Sequence, residues 1–187
     1  MIDISKDTLR LASQGNMAAF EEIYKITSGF VYNVALRVSR NRADSEEVTQ
    51  EVFMKIYHNL KDFQFRSSFK TWVYRITVNT AINRYRKSMR EMEGKADYKS
   101  VIETFPSNHN AAEGVIKSDN ETMVSILLET LSPEHKACLV LREFEGLSYQ
   151  EISAALKVPV NTVRSRLKRA REALFIQAQK RQVENEV

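Results

Sequence analysis

The sequence predicts an all-α fold of two small helical bundles joined by a flexible linker. Three observations predict it. Apolar residues recur at helical spacing along most of the 187 residues, and the five glycines and three prolines fall where helices should end. Between the two helical stretches, residues 91–118 are polar and rich in breakers, with little periodicity. This division gives a first bundle over 1–90, a linker over 91–118 and a second bundle over 119–187, with helix ending near Gln179 and a short charged tail beyond it. Each bundle is small, so each is expected to be modestly stable.

In the first bundle, Gly15, Gly29, the turn at Asn41 to Asp44 and the stretch from Gln64 to Ser67 mark off about four helices. One opens at Asp44, with Glu47 completing a capping box. Its apolar side is Val48, Val52, Phe53, Ile56, Tyr57 and Leu60; its other side presents Glu47, Gln50, Glu51, Met54 and His58. That second face is acidic and amide-bearing, with a methionine able to adapt to a partner. On pattern alone it equally fits an ordinary solvated face.

The next helix runs from Ser68 to about Met89. Phe69, Trp72, Val73, Ile76 and Thr80 form its core side, with Trp72 read as a packed anchor rather than a stacking platform. The polar side and C-terminal end carry Lys70, Arg75, Asn79, Asn83, Arg84, Arg86, Lys87 and Arg90, with Tyr74 and Tyr85 interleaved. Cations track phosphates, while aromatics and amides hold unstacked bases.

The second bundle contains the most informative stretch. Ser148 and Glu151 have the form of a capping box, flanked by Leu147 and Ile152 as a hydrophobic staple. The helix they start buries Ile152, Ala155 and Leu156, and stops near Lys157 and Val158 because Pro159 disfavours helical geometry before it. Asn161 is then a suitable N-cap for a second helix. Residues 161–171 carry five cations and no acid, while Val163, Leu167, Ala170 and Leu174 recur at i, i+4, i+7 and i+11. The opposite face holds Ser165, Lys168, Arg169 and Glu172, flanked by Arg164 and Arg166. Two short helices and a tight turn, the second helix basic, form a helix-turn-helix suited to the major groove.

Composition narrows the class. With Lys+Arg 28 against Asp+Glu 24 the net charge is only +4, so the basicity is local. No apolar run approaches a membrane span, and the stretch from Met1 to Lys6 lacks signal-peptide character. Cys138 is the only cysteine and lies among apolar neighbours, as a small buried side chain does. These features point to the cytoplasm. His58, His109 and His135 show no zinc-site spacing, and no phosphate loop, dinucleotide fingerprint or nucleophile triad is present. No catalysis, cofactor or metal is expected.

The residues carry a family resemblance. Leu147 to Ile152, followed by Pro159 to Leu167 and Arg169 to Arg171, resemble region 4 of the extracytoplasmic-function group of bacterial sigma factors. Asp44 to Phe53 resemble its core-binding region 2.2, and Ser68 to Ile76 with Asn79 resemble regions 2.3 and 2.4. Three motifs in the family's order span most of the chain.

The resemblance implies a factor that brings core RNA polymerase to promoters, in the group commonly for stress responses. It implies docking of Asp44, Glu47, Gln50, Glu51 and Met54 (helix 47–60) on the clamp helices of the largest subunit, and of the second bundle on the flap of the second subunit. The helix-turn-helix, residues 148–171, would read minus-thirty-five DNA. Arg164 and Arg169 are expected at base edges, Thr162 and Arg166 at phosphates, with Ser165 and Lys168 on the groove side. Phe65, Arg66, Lys70, Arg75, Asn79, Asn83, Arg84 and Arg86 would hold the opened minus-ten strand, a flipped base entering the loop at 62–69. That loop lacks the glycine many members have; Asn83 stands where many carry aspartate, and Asn161 where glycine is usual. An anti-sigma protein is implied as a further partner.

Two other classes share parts of the pattern: a helix-turn-helix regulator whose first bundle senses or dimerises, and a protein-binding helical adaptor whose basic helix meets an acidic partner.

Overall fold

The computed structural model describes residues 4–39, 41–93, 128 and 130–185. Among these residues there are helices and no strands. The expected linker lies outside the described residues from 94 onward, and so does the expected start of the second bundle at 119.

Helix α1 (Lys6–Ser13) is started by Ser5, whose side chain accepts from the Thr8 amide, and buries Leu9 and Ala12. The chain reverses at Gly15, where a φ of 89° is cheap only without a Cβ. Asn16 then accepts from the Ala19 amide at 3.0 Å, which satisfies one orphan donor of α2 (Met17–Ser39). Gly29 does not divide this helix, contrary to expectation. Propagation adds one hydrogen bond for each residue fixed, and the buried side of α2 (Ile23, Val31, Val34, Ala35 and Val38) carries the helix through it.

Helix α3 (Arg42–Asn59) starts two residues before the expected Asp44. Asn41 supplies the cap by accepting from the Asp44 amide at 2.9 Å, which leaves the Asp44 carboxylate for another partner. The α2–α3 turn is pinned by the hydroxyls of Ser39 and Ser45, buried and 2.9 Å apart. Val48, Val52, Phe53, Ile56 and Leu60 are buried as expected, but Tyr57 is 44% exposed, its ring edge-on to Phe20. A short 3₁₀ turn (Leu60–Asp62) leads to the loop before α4 (Phe69–Glu93), which Ser68 caps by accepting from the Thr71 amide. Helices α2, α3 and α4 pack on one another, and α1 lies against α2.

In the second bundle, α5 (Pro133–Leu139) begins with a Ser132 cap and a proline where its missing N–H is no loss. It continues as a π-helical turn (Val140–Phe144) that ends at Gly146, φ 69°. Helix α6 (Tyr149–Leu156) has the expected Ser148–Glu151 capping box, and Leu147 and Ile152 are both buried. It ends at Lys157, which takes the left-handed conformation that glycine usually supplies. Helix α7 (Val160–Asn185) starts earlier and runs further than expected. Its first bonds go to the Pro159 carbonyl, from Thr162 at 2.9 Å and Val163 at 3.2 Å, so Asn161 sits inside the first turn rather than capping it.

The two bundles meet along α4, which packs against α5 and α6, while α2 packs against α5 and the π-helical turn. Tyr74, expected on the polar side, is fully buried in this seam. Its hydroxyl donates to Glu145 at 2.5 Å and its ring packs on Phe30. Burial, then the Glu145 carboxylate, push the phenol's pKa well above its ordinary value. Arg86 pairs with Glu134 across the seam, Arg37 lies 4.4 Å over the Phe144 ring, and the Lys136 ammonium lies 5.3 Å from the centre of the Tyr85 ring.

Two stability measurements check this account. A Cβ added at Gly29 meets nothing within 4 Å, so Gly29→Ala should stabilise the fold by about 0.5–1 kcal/mol in urea unfolding. Tyr74→Phe keeps the ring but loses the bond to a charged acceptor, and should cost about 1–2 kcal/mol in the same assay.

Candidate functional site

On α7 the two sides separate cleanly. Val163, Leu167 and Ala170 are fully buried, while Arg164, Ser165, Lys168 and Arg169 are exposed. Packing against α5 and α6 fixes the helix, and the exposed cations are only lightly tethered. Arg164 donates to Asn161 at 3.3 Å, and Lys168 is 3.7 Å from Glu172 one turn on. Exposed pairs of that kind contribute little, so both cations are available to an anion.

Thr162 is half-buried, and Ser165 donates back to the Thr162 carbonyl. Arg166 is half-buried against α5, where its charge acts on Glu134, His135 and the Cys138 thiol. Cys138 is fully buried, and that burial raises its pKa.

The eight residues expected to hold a single strand do not share one face. Arg75, Asn79, Asn83 and Arg86 follow one another at i, i+4, i+8 and i+11 along the outer stripe of α4. Asn79 and Asn83 are exposed, Arg75 is half-buried, and Arg86 is bound to Glu134. Trp72 is buried by Phe63 and Phe69 at the start of α4, a packed anchor as expected.

The loop before α4 exposes Arg66 and just over half of Phe65, whose ring rests 4.8 Å from that of Phe63. Phe65 has a φ of 55°, rare for a bulky residue. The loop therefore makes a left-handed turn without glycine and turns an aromatic ring outward. Lys70 is on the seam side instead, 5.6 Å from the centre of the Tyr74 ring and within electrostatic reach of Glu151. Arg84 is turned toward α3.

On α3, Glu47, Gln50, Glu51 and Met54 are all exposed, Met54 at 62%. Glu51 pairs with Lys55 at 2.6 Å. Asp44 is not part of the open face: its carboxylate binds Arg84 at 2.7 Å and accepts from Ser88 at 3.3 Å. Sequence reasoning missed the aromatic surface beside α3. There Met17 and Tyr24 of α2 line a shallow hollow with Phe20, and Tyr24 packs on Phe53 at 4.6 Å. The recurrence of Met17, Phe20 and Tyr24 at i, i+3 and i+7 was the available signal.

A basic helix seated in a helix-turn-helix, joined to a bundle with an exposed acidic and amide-bearing helix face and a polar helix stripe, is the arrangement expected of a transcription-initiation protein of the sigma type. The Sigma-70 region 2 family matches residues 23–91, and Sigma-70, region 4 matches residues 124–174. The ECF RNA polymerase sigma-E factor of Escherichia coli is 37% identical over 154 residues, covering 78% of this chain and 80% of that protein. The RNA polymerase sigma-H factor of Pseudomonas aeruginosa is 32% identical over 167 residues, covering 86% of each. The ECF factor SigW of Bacillus subtilis is 30% identical over 177 residues, covering 90% of this chain and 94% of SigW. The chain belongs to the ECF group of RNA polymerase sigma factors.

The fold is also that of CnrH in its complex with the cytosolic domain of CnrY (TM-score 0.70, 22% identity, 95% of this chain and 99% of that one). RpoE from Bartonella quintana, in complex with the anti-sigma factor NepR, is similar at a TM-score of 0.63 and 22% identity, over 83% of this chain and 93% of that one. Among the described residues, no helix is long and apolar enough to cross a membrane, and no cluster of three or more His, Cys, Asp or Glu is placed to hold a metal.

The seam and the recognition helix share a titratable neighbourhood. Burial, then Arg166 and Arg169, hold the His135 pKa below its ordinary 6.5. Burial would raise Glu134, but its backbone amide and Arg86 outweigh that and hold it below 4.5; the Ser148 backbone and hydroxyl do the same for Glu151. A group with a depressed folded pKa stabilises above its unfolded value and loses that contribution as pH falls. Melting temperature should therefore drop as pH falls below 6.5, with the carboxylates adding losses of the same sign below 4.5. His135→Gln should flatten the part just below pH 6.5; an unchanged slope there would show that His135 does not contribute.

Proposed function

We propose that this chain delivers core RNA polymerase to promoters by dividing the work among three surfaces. Residues 1–90 form the polymerase-binding and strand-holding part, 91–118 the connection, and 119–187 the duplex-reading part. The α3 face of Glu47, Gln50, Glu51 and Met54 docks on the clamp helices of the largest subunit, and the second bundle meets the flap of the second subunit. On α7, Arg164 and Arg169 read base edges in the minus-thirty-five groove, assisted by Lys168, while Thr162, Ser165 and Arg166 engage phosphates. Phe65 and Arg66 of the loop, with Arg75, Asn79, Asn83 and Arg86, hold the opened minus-ten strand; Lys70 joins them only if the seam parts.

The observation that carries the reading is the complete burial of Val163, Leu167 and Ala170 beneath exposed Arg164, Lys168 and Arg169. A merely solvated basic helix has no need of so well fixed a register. The chain itself makes and breaks no bond; binding energy offsets base-pair disruption and the polymerase performs the chemistry. It acts where the polymerase is, in the cytoplasm, in a stress response, and an anti-sigma protein of the kind NepR is to RpoE restrains it.

Run-off transcription with purified core polymerase tests the reading. Promoter-specific transcripts should appear only when the chain is added. Gln50→Ala with Glu51→Ala should weaken core binding and leave the recognition helix intact. Arg169→Ala should lose about 1–3 kcal/mol of discrimination between promoter and mutated minus-thirty-five DNA. A footprint on two-fold symmetric DNA by the chain alone would favour an ordinary helix-turn-helix regulator instead.

A further inference from the structure

The family resemblance assigns Asp44 and Glu47 to the polymerase face and Arg84 to the DNA face, but the fold joins all three. The Arg84 Nε donates to Asp44 Oδ1 at 2.7 Å and an Arg84 terminal nitrogen donates to Glu47 Oε1 at 2.7 Å. The guanidinium is only 25% exposed, and Asp44 is 13% exposed and also accepts from Ser88. Hydrogen bonding to Asp44 and the charges of both acids raise the Arg84 pKa.

Glu47 differs from Asp44. Its side chain is 57% exposed, and Oε2 has no hydrogen bond among the described residues. The planar fork of an arginine fixes two acceptors at once, which a flexible ammonium does less well. Arg84 thus anchors on a half-buried aspartate, holds one oxygen of an exposed glutamate, and leaves the other without a hydrogen bond among the described residues.

We infer that Arg84 is a positioning residue for the polymerase-docking face, acting through Glu47, and is not a DNA contact. This rests on the reading of α3 as that face. A glutamate already held in one rotamer loses less freedom when a partner's cation arrives, a difference of about 3- to 10-fold in affinity for one immobilised side chain. A guanidinium committed to two carboxylates would have to leave both before it could meet a phosphate.

The test titrates the full chain with core polymerase, and separately measures single-stranded oligonucleotide binding by the assembled holoenzyme at saturating chain. Arg84→Gln and Arg84→Lys should each weaken core binding by about 3- to 10-fold, and Arg84→Gln combined with Glu47→Gln should bind core no more weakly than Glu47→Gln alone. Strand binding by the holoenzyme should not change. Unchanged core affinity with weakened strand binding would overturn the assignment in favour of a DNA contact, and additive losses in the double variant would overturn the route through Glu47. Should Arg84→Gln melt out, Arg84→Lys keeps the charge and removes the fork, so the comparison stands. If Gln50→Ala with Glu51→Ala also leaves core affinity unchanged, the docking face itself is wrong, a failure distinct from that of Arg84.

Discussion

From Phe69 to Ile82, helix α4 is buried around most of its circumference, and that constraint organises the rest of the molecule. Val73, Tyr74, Thr77 and Val78 are fully buried, and Trp72 is closed over by the loop in front of the helix. Burying an aliphatic or aromatic side chain contributes about 1.5–3 kcal/mol, so few positions on such a helix are open to be given to a ligand. What remains open there is the narrow outer stripe through Arg75, Asn79 and Asn83, continuing to Arg86. A polar surface built this way has a rigid back, as a site held on a scaffold helix requires.

The same constraint accounts for what was legible beforehand. The helix-turn-helix was legible almost to the residue, because its signals are local: a capping box three residues wide, a proline stop and an apolar stripe of fixed period. The acidic-amide face of α3 was legible for the same reason. The misreadings were tertiary. Tyr74 reads as an exposed aromatic among cations because nothing in its own helix announces Glu145, which lies 71 positions away. Arg84 reads as one more cation because Asp44 is 40 positions earlier.

Boundaries failed for smaller causes. Gly29 costs less than the burial on either side of it provides. Asn41 displaced Asp44 as cap, and Asn161 yielded the start of α7 to the carbonyl of Pro159. Tyr57 fits the apolar period of α3 yet sits at the edge of the bundle, where its ring covers Phe20 rather than entering the core. A hydrophobic period marks which side faces inward but not how far the interior extends.

The directional contacts across the seam between the bundles are mostly between charged or polar groups: Tyr74 with Glu145, Arg86 with Glu134, and Arg37 on the Phe144 ring. The solvent-reached members of this joint, Arg86 with Glu134 and Arg37 on Phe144, respond to ionic strength, whereas the buried Tyr74 bond is screened far less. Counterions screen charges over about 8 Å at physiological salt and far less distance in concentrated salt, so added electrolyte weakens those exposed contacts while it also strips the protein from phosphates. The slope of promoter affinity against salt concentration for this chain therefore mixes weakened seam contacts with counterion release, and overstates the number of phosphate contacts if read as counterion release alone.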